Sequence, residues 1–236
     1  MLLKLACLIT IAALPQTLLA EQQTPDLTVF DLHNKSDQQK LSYILGLEMF
    51  EERTRQGFVL NPDMVAQAIR DEQAGVSANL STAEYIRIVT MKREMIADYE
   101  AKWQTLSDQN LEVGKAFMTA KALEPGVENT KSGLLYKILR PGTGERPSAE
   151  DTAKIHYRGT MLNGEEFDSS YKRGEPNEFP INQVKPALRE ILLLMREGAR
   201  WVFYSPPSLA YGKEGAGPIG PNETLTTEVE LLEIIK

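Results

Sequence analysis

Cysteine is nearly missing from this chain of 236 residues, since the one example, Cys7, lies within the first twenty. A single cysteine cannot form an internal disulfide, so the fold must rely on its apolar core. Histidine is almost as rare, with only His33 and His156. Because no cluster of His, Asp and Glu has metal-ligand spacing, we expect no metal and no cofactor. His156 lacks a nucleophile-elbow motif beside it, which argues against a Ser-His-acid triad.

Positive charge is also in short supply, with 26 basic against 33 acidic side chains and a net charge of −7. This balance argues against nucleic acid and anionic membrane as partners. The one long apolar run is MLLKLACLITIAALPQTLLA, residues 1–20, with a lysine near its start and the small residue Ala20 at its end. It has the layout of a cleaved secretory signal and is shorter than a membrane span. We therefore expect an exported chain with no stable membrane insertion.

Residues 21–35 are polar and without periodicity, which predicts a flexible leader. A capping box at Ser36 and Gly57 after the apolar residues predict a first helix, and Asn61-Pro62 with Gly75 bound a second. The first helix carries apolar side chains around most of its circumference, so it needs cover on several sides. These side chains are Leu41, Tyr43, Ile44, Leu45, Leu47, Met49 and Phe50. Residues 36–80 are therefore predicted to form a helical domain that requires a partner.

Proline is absent from Thr82 to Ala122, and Gly114 is the only glycine there. With a capping box at Ser81, the pattern predicts one helix over residues 81–123, about 60 Å long at 1.5 Å per residue. A helix of that length exceeds the width of a small domain, so we expect it to connect two bodies. Pro125-Gly126 then breaks the helix and predicts a linker over residues 124–132.

Residues 133–236 change to strand-like alternation between turns rich in glycine and proline, which predicts an antiparallel sheet of an α+β domain. Its one predicted helix is QVKPALREILLLMREG, residues 183–198, with Pro186 in the first turn and Gly198 as a left-handed cap. Aromatic and apolar residues and one acid stand beside the turns. Spacing alone predicts that these residues are ordinary core.

The stretch IHYRGTMLNGEEFDSS, followed by PPSLAYG, GPIGPNETL and VELLEII, resembles the FKBP family of peptidyl-prolyl cis–trans isomerases over roughly residues 130–236. Upstream, DQQKLSYILGLEMF, the two later helices and SGLLYKIL are similar to the Mip/FkpA-like subgroup. That resemblance implies an FKBP-like sheet around one short helix and an exported homodimer formed through residues 36–80. It also implies a Gram-negative-type bacterium, with the protein periplasmic, outer-membrane-associated or secreted.

The resemblance also implies site residues and partners. Tyr157, Phe167 and Asp168 match one wall of the family's proline pocket, and Tyr211 matches a phenolic donor; these four are the expected catalytic residues. Val184, the backbone N–H of Lys185, Leu188, Ile219 and Thr227 match substrate-binding positions, with Ile219 on the loop that closes the pocket. The implied partners are unfolded or proline-containing polypeptides, and a macrolide as a further ligand.

Three positions depart from the family pattern: Leu188 replaces a tryptophan, Thr227 a phenylalanine and Lys185 a branched aliphatic residue. Losing two aromatic side chains predicts weaker contact with a proline ring. Three functions therefore remain open at this point. The chain is a dimeric isomerase and folding chaperone, a weakly active or inactive chaperone or binding module with an eroded pocket, or a purely structural dimer.

Overall fold

The computed structural model describes residues 31–236, so the predicted signal segment and most of the predicted leader lie outside the described residues. The chain divides into two compact units, one ending at Glu52 and one running from Arg53 to Lys236. The division falls inside the first helix rather than at residue 80, where the sequence analysis ends its helical domain. Within the described part, no helix is long and apolar enough to cross a bilayer.

Between residues 31 and 126 the structure has three helices: α1 (Asp37–Arg55), α2 (Pro62–Ala74) and α3 (Thr82–Lys121). Their predicted starts are confirmed by the capping hydrogen bonds. Asn61 accepts from the backbone N–H of Met64 at 3.1 Å, and Ser81 and Glu84 form a reciprocal capping box. Gly75 adopts the left-handed conformation after α2. Polar side chains that satisfy unpaired backbone N–H groups thus define where these helices begin.

No residue of α1 is buried. The seven apolar side chains that the sequence analysis names on it are 38 % to 55 % exposed. In one copy of the chain, this helix therefore exposes apolar surface to water on more than one side. Such exposure is typical of a surface that another chain covers.

A seven-stranded antiparallel sheet forms the C-terminal half, in the order β1-β2-β6-β7-β3-β4, with β5 also paired to β3. Its strands are β1 (Val127–Asn129), β2 (Leu135–Arg140), β3 (Thr152–Met161), β4 (Glu166–Ser169), β5 (Asn177–Pro180), β6 (Arg200–Ser205) and β7 (Leu225–Ile235). The predicted α+β class is confirmed. Strand β1 lies inside the segment predicted as a linker. Its three residues form a strand there because they pair with β2 at the sheet edge.

Two helices belong to this sheet, where the sequence predicts one: α4 (Ser170–Arg173) and α5 (Pro186–Leu194). Helix α5 buries Ala187, Ile191 and Leu192 in the main core of the domain. It ends before Gly198, the predicted cap, because Met195 is extended and completely buried. Gly198 adopts a positive φ of 82° in the following turn and donates its N–H to the Leu231 carbonyl at 2.8 Å.

The C-terminal part of α3 packs against the sheet domain and against the loop that precedes β7. Gly114 lies against the side chain of Thr224. Asn110 donates to the Pro221 carbonyl at 2.8 Å, and Asn222 donates to Ser107 at 2.7 Å. Asn110 also donates to Glu223 Oε1 at 3.2 Å, so helix α3 is held to the loop by a close backbone approach and by several side-chain hydrogen bonds.

Candidate active site

A cavity of about 490 Å³ opens between the first turn of α5 and strands β3, β6 and β7. Eight of the nine predicted site residues line it: Tyr157, Phe167, Asp168, Val184, Lys185, Leu188, Tyr211 and Thr227. The ninth, Ile219, does not line the cavity. It is 3 % exposed and belongs to a small cluster against which Phe167 and Tyr211 pack. The structure therefore places Ile219 behind the wall of the cavity.

One wall carries a polar network. Tyr157 donates its hydroxyl hydrogen to Asp168, and the Arg173 guanidinium forms an ion pair with the same carboxylate. Arg173 also donates to the Tyr157 hydroxyl oxygen and to Asn177 Oδ1, both at 2.8 Å. Because the phenol, the acid and the cation each have a partner, the network keeps these side chains in one arrangement.

This network determines the charge of the acid. Burial raises the pKa of Asp168, but the hydrogen bonds from Tyr157 and Arg173 outweigh it, so the pKa lies below its usual value. Asp168 is therefore a carboxylate at neutral pH, and its charge is balanced by Arg173. The pKa of Tyr157 is raised, first by burial and then by its hydrogen bond to Asp168. Tyr157 thus stays a protonated donor.

Phe167 completes this wall because a glycine makes room for it. The strand β3 residue opposite the ring is Gly159, and a Cβ atom there would overlap the ring of Phe167. Phe167 then meets Tyr211 edge to face, with ring centroids 6.3 Å apart. Gly159 is the glycine of the HYRG motif, and its role is the close approach of an aromatic ring to the backbone.

The floor contains an aromatic side chain that the sequence analysis does not include. Phe203 on β6 lines the cavity, is 2 % exposed, and pairs directly with Thr227 on β7. The position where the family has phenylalanine is therefore next to a phenylalanine on the neighbouring strand. Leu188 on α5 is partly buried and packs against the same core.

Two groups mark the mouth of the cavity. Burial raises the pKa of Tyr211, and the negative charge of Asp168 raises it further, so the phenol remains a hydrogen-bond donor at neutral pH. The ammonium group of Lys185 lies 4.7 Å from the centroid of the Tyr211 ring. Lys185 is also the N-cap residue of α5, and within the described chain its backbone N–H donates to no other group.

Two further residues of the site, Arg173 behind Asp168 and Phe179 in the cavity lining, were not predicted. Arg173 lies on α4, a helix of four residues that is too short for any periodic signal. Phe179 on β5 lines the cavity and lies 6.0 Å from Tyr157 between ring centroids. Both residues follow the GEEFDSS motif within a dozen positions. Proximity to that motif is the sequence feature that could have indicated them as site residues.

Fold and cavity together define an α+β domain with an apolar, aromatic-walled pocket and with hydrogen-bond donors at its mouth. A family model described as FKBP-type peptidyl-prolyl cis-trans isomerase matches residues 143–232. A second model, described as the domain amino terminal to FKBP-type peptidyl-prolyl isomerase, matches residues 38–138. The chain belongs to the FKBP family of peptidyl-prolyl cis–trans isomerases.

Relatives resemble the chain over most of its length. Outer membrane protein MIP of Legionella longbeachae is 37 % identical over 204 residues, covering 85 % of this chain and 87 % of the relative. Peptidyl-prolyl cis-trans isomerase Mip of Coxiella burnetii is 36 % identical, covering 86 % and 89 %. The crystal structure of FkpA from Escherichia coli matches with a TM-score of 0.63 and 34 % identity, covering 85 % of this chain and 98 % of that one. The predicted family and isomerase activity are thereby confirmed.

Proposed function

We propose that the chain isomerises X–Pro bonds of unfolded or exported polypeptides, and that it holds such clients as a dimeric chaperone. The observation that carries the isomerase site is the cavity, since eight residues matched by resemblance line one apolar space. The roles of these residues and the identity of the clients form the proposal. The eroded-pocket alternative loses support because Phe203 adds aromatic surface beside Thr227.

The chemistry requires no covalent step. An X–Pro amide favours trans by only about 0.5–1 kcal/mol, yet it rotates in tens to hundreds of seconds because twisting breaks the amide resonance. The twisted amide has less charge separation than the planar one, so a dry apolar cavity favours it. In this proposal, the proline ring occupies the cavity, Tyr211 donates to a substrate carbonyl, and the Lys185 N–H donates to the peptide backbone.

The direct test is isomerisation of a short X–Pro peptide by the full chain. Tyr211→Phe should lower kcat/KM by about 2- to 10-fold, the value of one neutral hydrogen bond. The matched control is Tyr171→Phe, because Tyr171 donates to Glu230 at 3.3 Å outside the cavity. Equal effects of the two variants would contradict the proposed role of Tyr211. No acceleration of any X–Pro peptide would contradict the site itself.

Dimerisation through residues 36–80 is the second part of the proposal, and the exposed apolar side chains of α1 support it. Deleting residues 36–80 should give a monomer in size-exclusion chromatography with light scattering. An unchanged dimer would refute this part. Export is supported by the layout of residues 1–20 and is tested by locating the protein in fractionated cells.

Chaperone activity needs a separate measurement. Suppressed aggregation of a proline-free client cannot arise from isomerisation, so such a client isolates the holding function. The full chain should slow its aggregation, and the variant lacking residues 36–80 should do so less, because two linked sites raise the effective concentration of each. Equal suppression by the two forms would separate chaperone activity from dimerisation.

A further inference from the structure

The mouth of the cavity carries a cation, Lys185, that has no carboxylate partner among residues 31–236. Lys185 is exposed, lines the cavity, and directs its ammonium group to the face of Tyr211 at 4.7 Å from the ring centroid. No carboxylate in residues 31–236 lies within 4.0 Å of this ammonium group. A cation over an aromatic ring is held weakly at an exposed site, about 0.5–1 kcal/mol, so a carboxylate can compete for it.

The neighbouring charges make this cation stand out. Asp168, the acid that lines the cavity, is engaged by Arg173 and Tyr157. The next ionisable residue on α5 is Arg189, another cation, whose backbone N–H donates to the Lys185 carbonyl at 3.0 Å. Among the described residues, Lys185 is thus the charged lining group without an ion-pair partner, in a chain whose net charge is −7.

The position of Lys185 relative to the cavity suggests what it recognises. If the proline ring occupies the apolar floor, the side chains of the adjacent residues stay at the mouth. Lys185 precedes Pro186, whose ring restricts the backbone, so its ammonium group reaches the mouth from a rigid helix start. A negatively charged side chain beside the proline would meet this ammonium group while the proline remained in place.

We infer that Lys185 gives the pocket a preference for peptides with Asp or Glu adjacent to the proline. This inference rests on the proposed function, because it takes the cavity as the proline site. An exposed ion pair corresponds to about a 2- to 5-fold preference over a neutral residue. The preference should shrink in 1 M salt, where the Debye length is about 3 Å.

The test compares peptides that differ only in charge. One pair carries Glu or Gln before the proline, the other pair carries Glu or Gln after it, and kcat/KM and Kd are measured for each with the full chain. In at least one pair, kcat/KM for the Glu peptide should be about 2- to 5-fold higher than for the Gln peptide, and its Kd should be lower. Comparing the two pairs shows whether Lys185 recognises the residue before or after the proline. Lys185→Met should bring the ratio close to 1, and Lys185→Glu should invert it.

The control is Arg189→Gln, which removes a cation on α5 that does not line the cavity and should leave the Glu/Gln ratio unchanged. A wild-type ratio near 1 in both pairs, or a ratio that survives in Lys185→Met, overturns the inference. The Kd values separate this result from failure of the proposed function. Peptides that bind with a charge-dependent Kd but are not isomerised would support Lys185 selection and refute catalysis.

Discussion

Gly114 allows the long helix α3 to approach the sheet domain, and a substitution there tests that packing. A Cβ atom at position 114 would overlap the hydroxyl oxygen of Thr224 and lie 3.2 Å from its Cβ. Thr224 is 2 % exposed, so its branched side chain has little room to turn away. Gly114→Ala should therefore displace α3 from the domain or strain the loop that ends at Thr224.

Two effects of opposite sign set the magnitude. Alanine in a helix interior is about 1 kcal/mol more favourable than glycine. Forcing an extra carbon into a packed contact costs about 1–3 kcal/mol. The net result should be a loss of about 1 kcal/mol in the free energy of unfolding, or roughly 2–4 °C in Tm for a chain of this size. The assay is thermal and urea unfolding of the full chain at one protein concentration.

A double-mutant cycle isolates the contact. In a Thr224→Ala background the overlapping hydroxyl is gone, so the Gly114→Ala change should cost less or become stabilising, with a coupling of about 1–2 kcal/mol. If Gly114→Ala stabilises the wild-type chain by about 1 kcal/mol, as at an exposed helix position, then α3 does not rest on Thr224. The reasoning is also refuted if Gly114→Ala changes the free energy of unfolding equally in the wild-type and Thr224→Ala backgrounds.

Three further predictions concern the cavity and the loop. Leu188→Trp should raise kcat/KM for X–Pro peptides by about fivefold, because the larger ring adds about 1 kcal/mol of apolar contact; an unchanged value would show that the floor is already complete. Thr227→Phe should lower Tm without improving activity, because Phe203 occupies the adjacent position and overpacking costs about 1–3 kcal/mol. Glu223→Gln should raise Tm at pH 7.5 but not at pH 4. Burial raises the pKa of Glu223, partly offset by a hydrogen bond from Asn110, so the folded chain loses stability as this acid ionises at higher pH.

Local signals predicted much of the fold. Capping residues gave the starts of the N-terminal helices, because unpaired backbone N–H groups there require a side-chain acceptor. The end of α5 was not predictable in the same way. Gly198 has the positive φ of a cap, but burial of Met195 ends the helix earlier, and that burial is a tertiary property. Strand β1 was missed for a similar reason, since its three residues form a strand only by pairing with β2.

The site was predicted mainly through resemblance, and its missed members depend on the sheet. Arg173 lies on a four-residue helix, so its ion pair with Asp168 follows from the tight turn after β4 rather than from any pattern. Ile219 was expected over the pocket, but its loop places it behind Phe167 and Tyr211. Sequence motifs thus identify the residues of a pocket more reliably than their orientation toward it.

The three departures from the family pattern, Thr227, Lys185 and Leu188, lie at different places in the cavity and therefore have different physical consequences. Thr227 removes an aromatic ring from β7, but Phe203 is its direct partner on β6 and presents a ring to the same cavity. Apolar contact depends on the surface presented to the ligand and not on which strand supplies it. Lys185 is exposed at the mouth, so in the proposed binding mode its charge faces the residues beside the proline and leaves the floor apolar. If the cavity holds the proline ring as proposed, Leu188 is therefore the departure that most directly reduces contact with that ring.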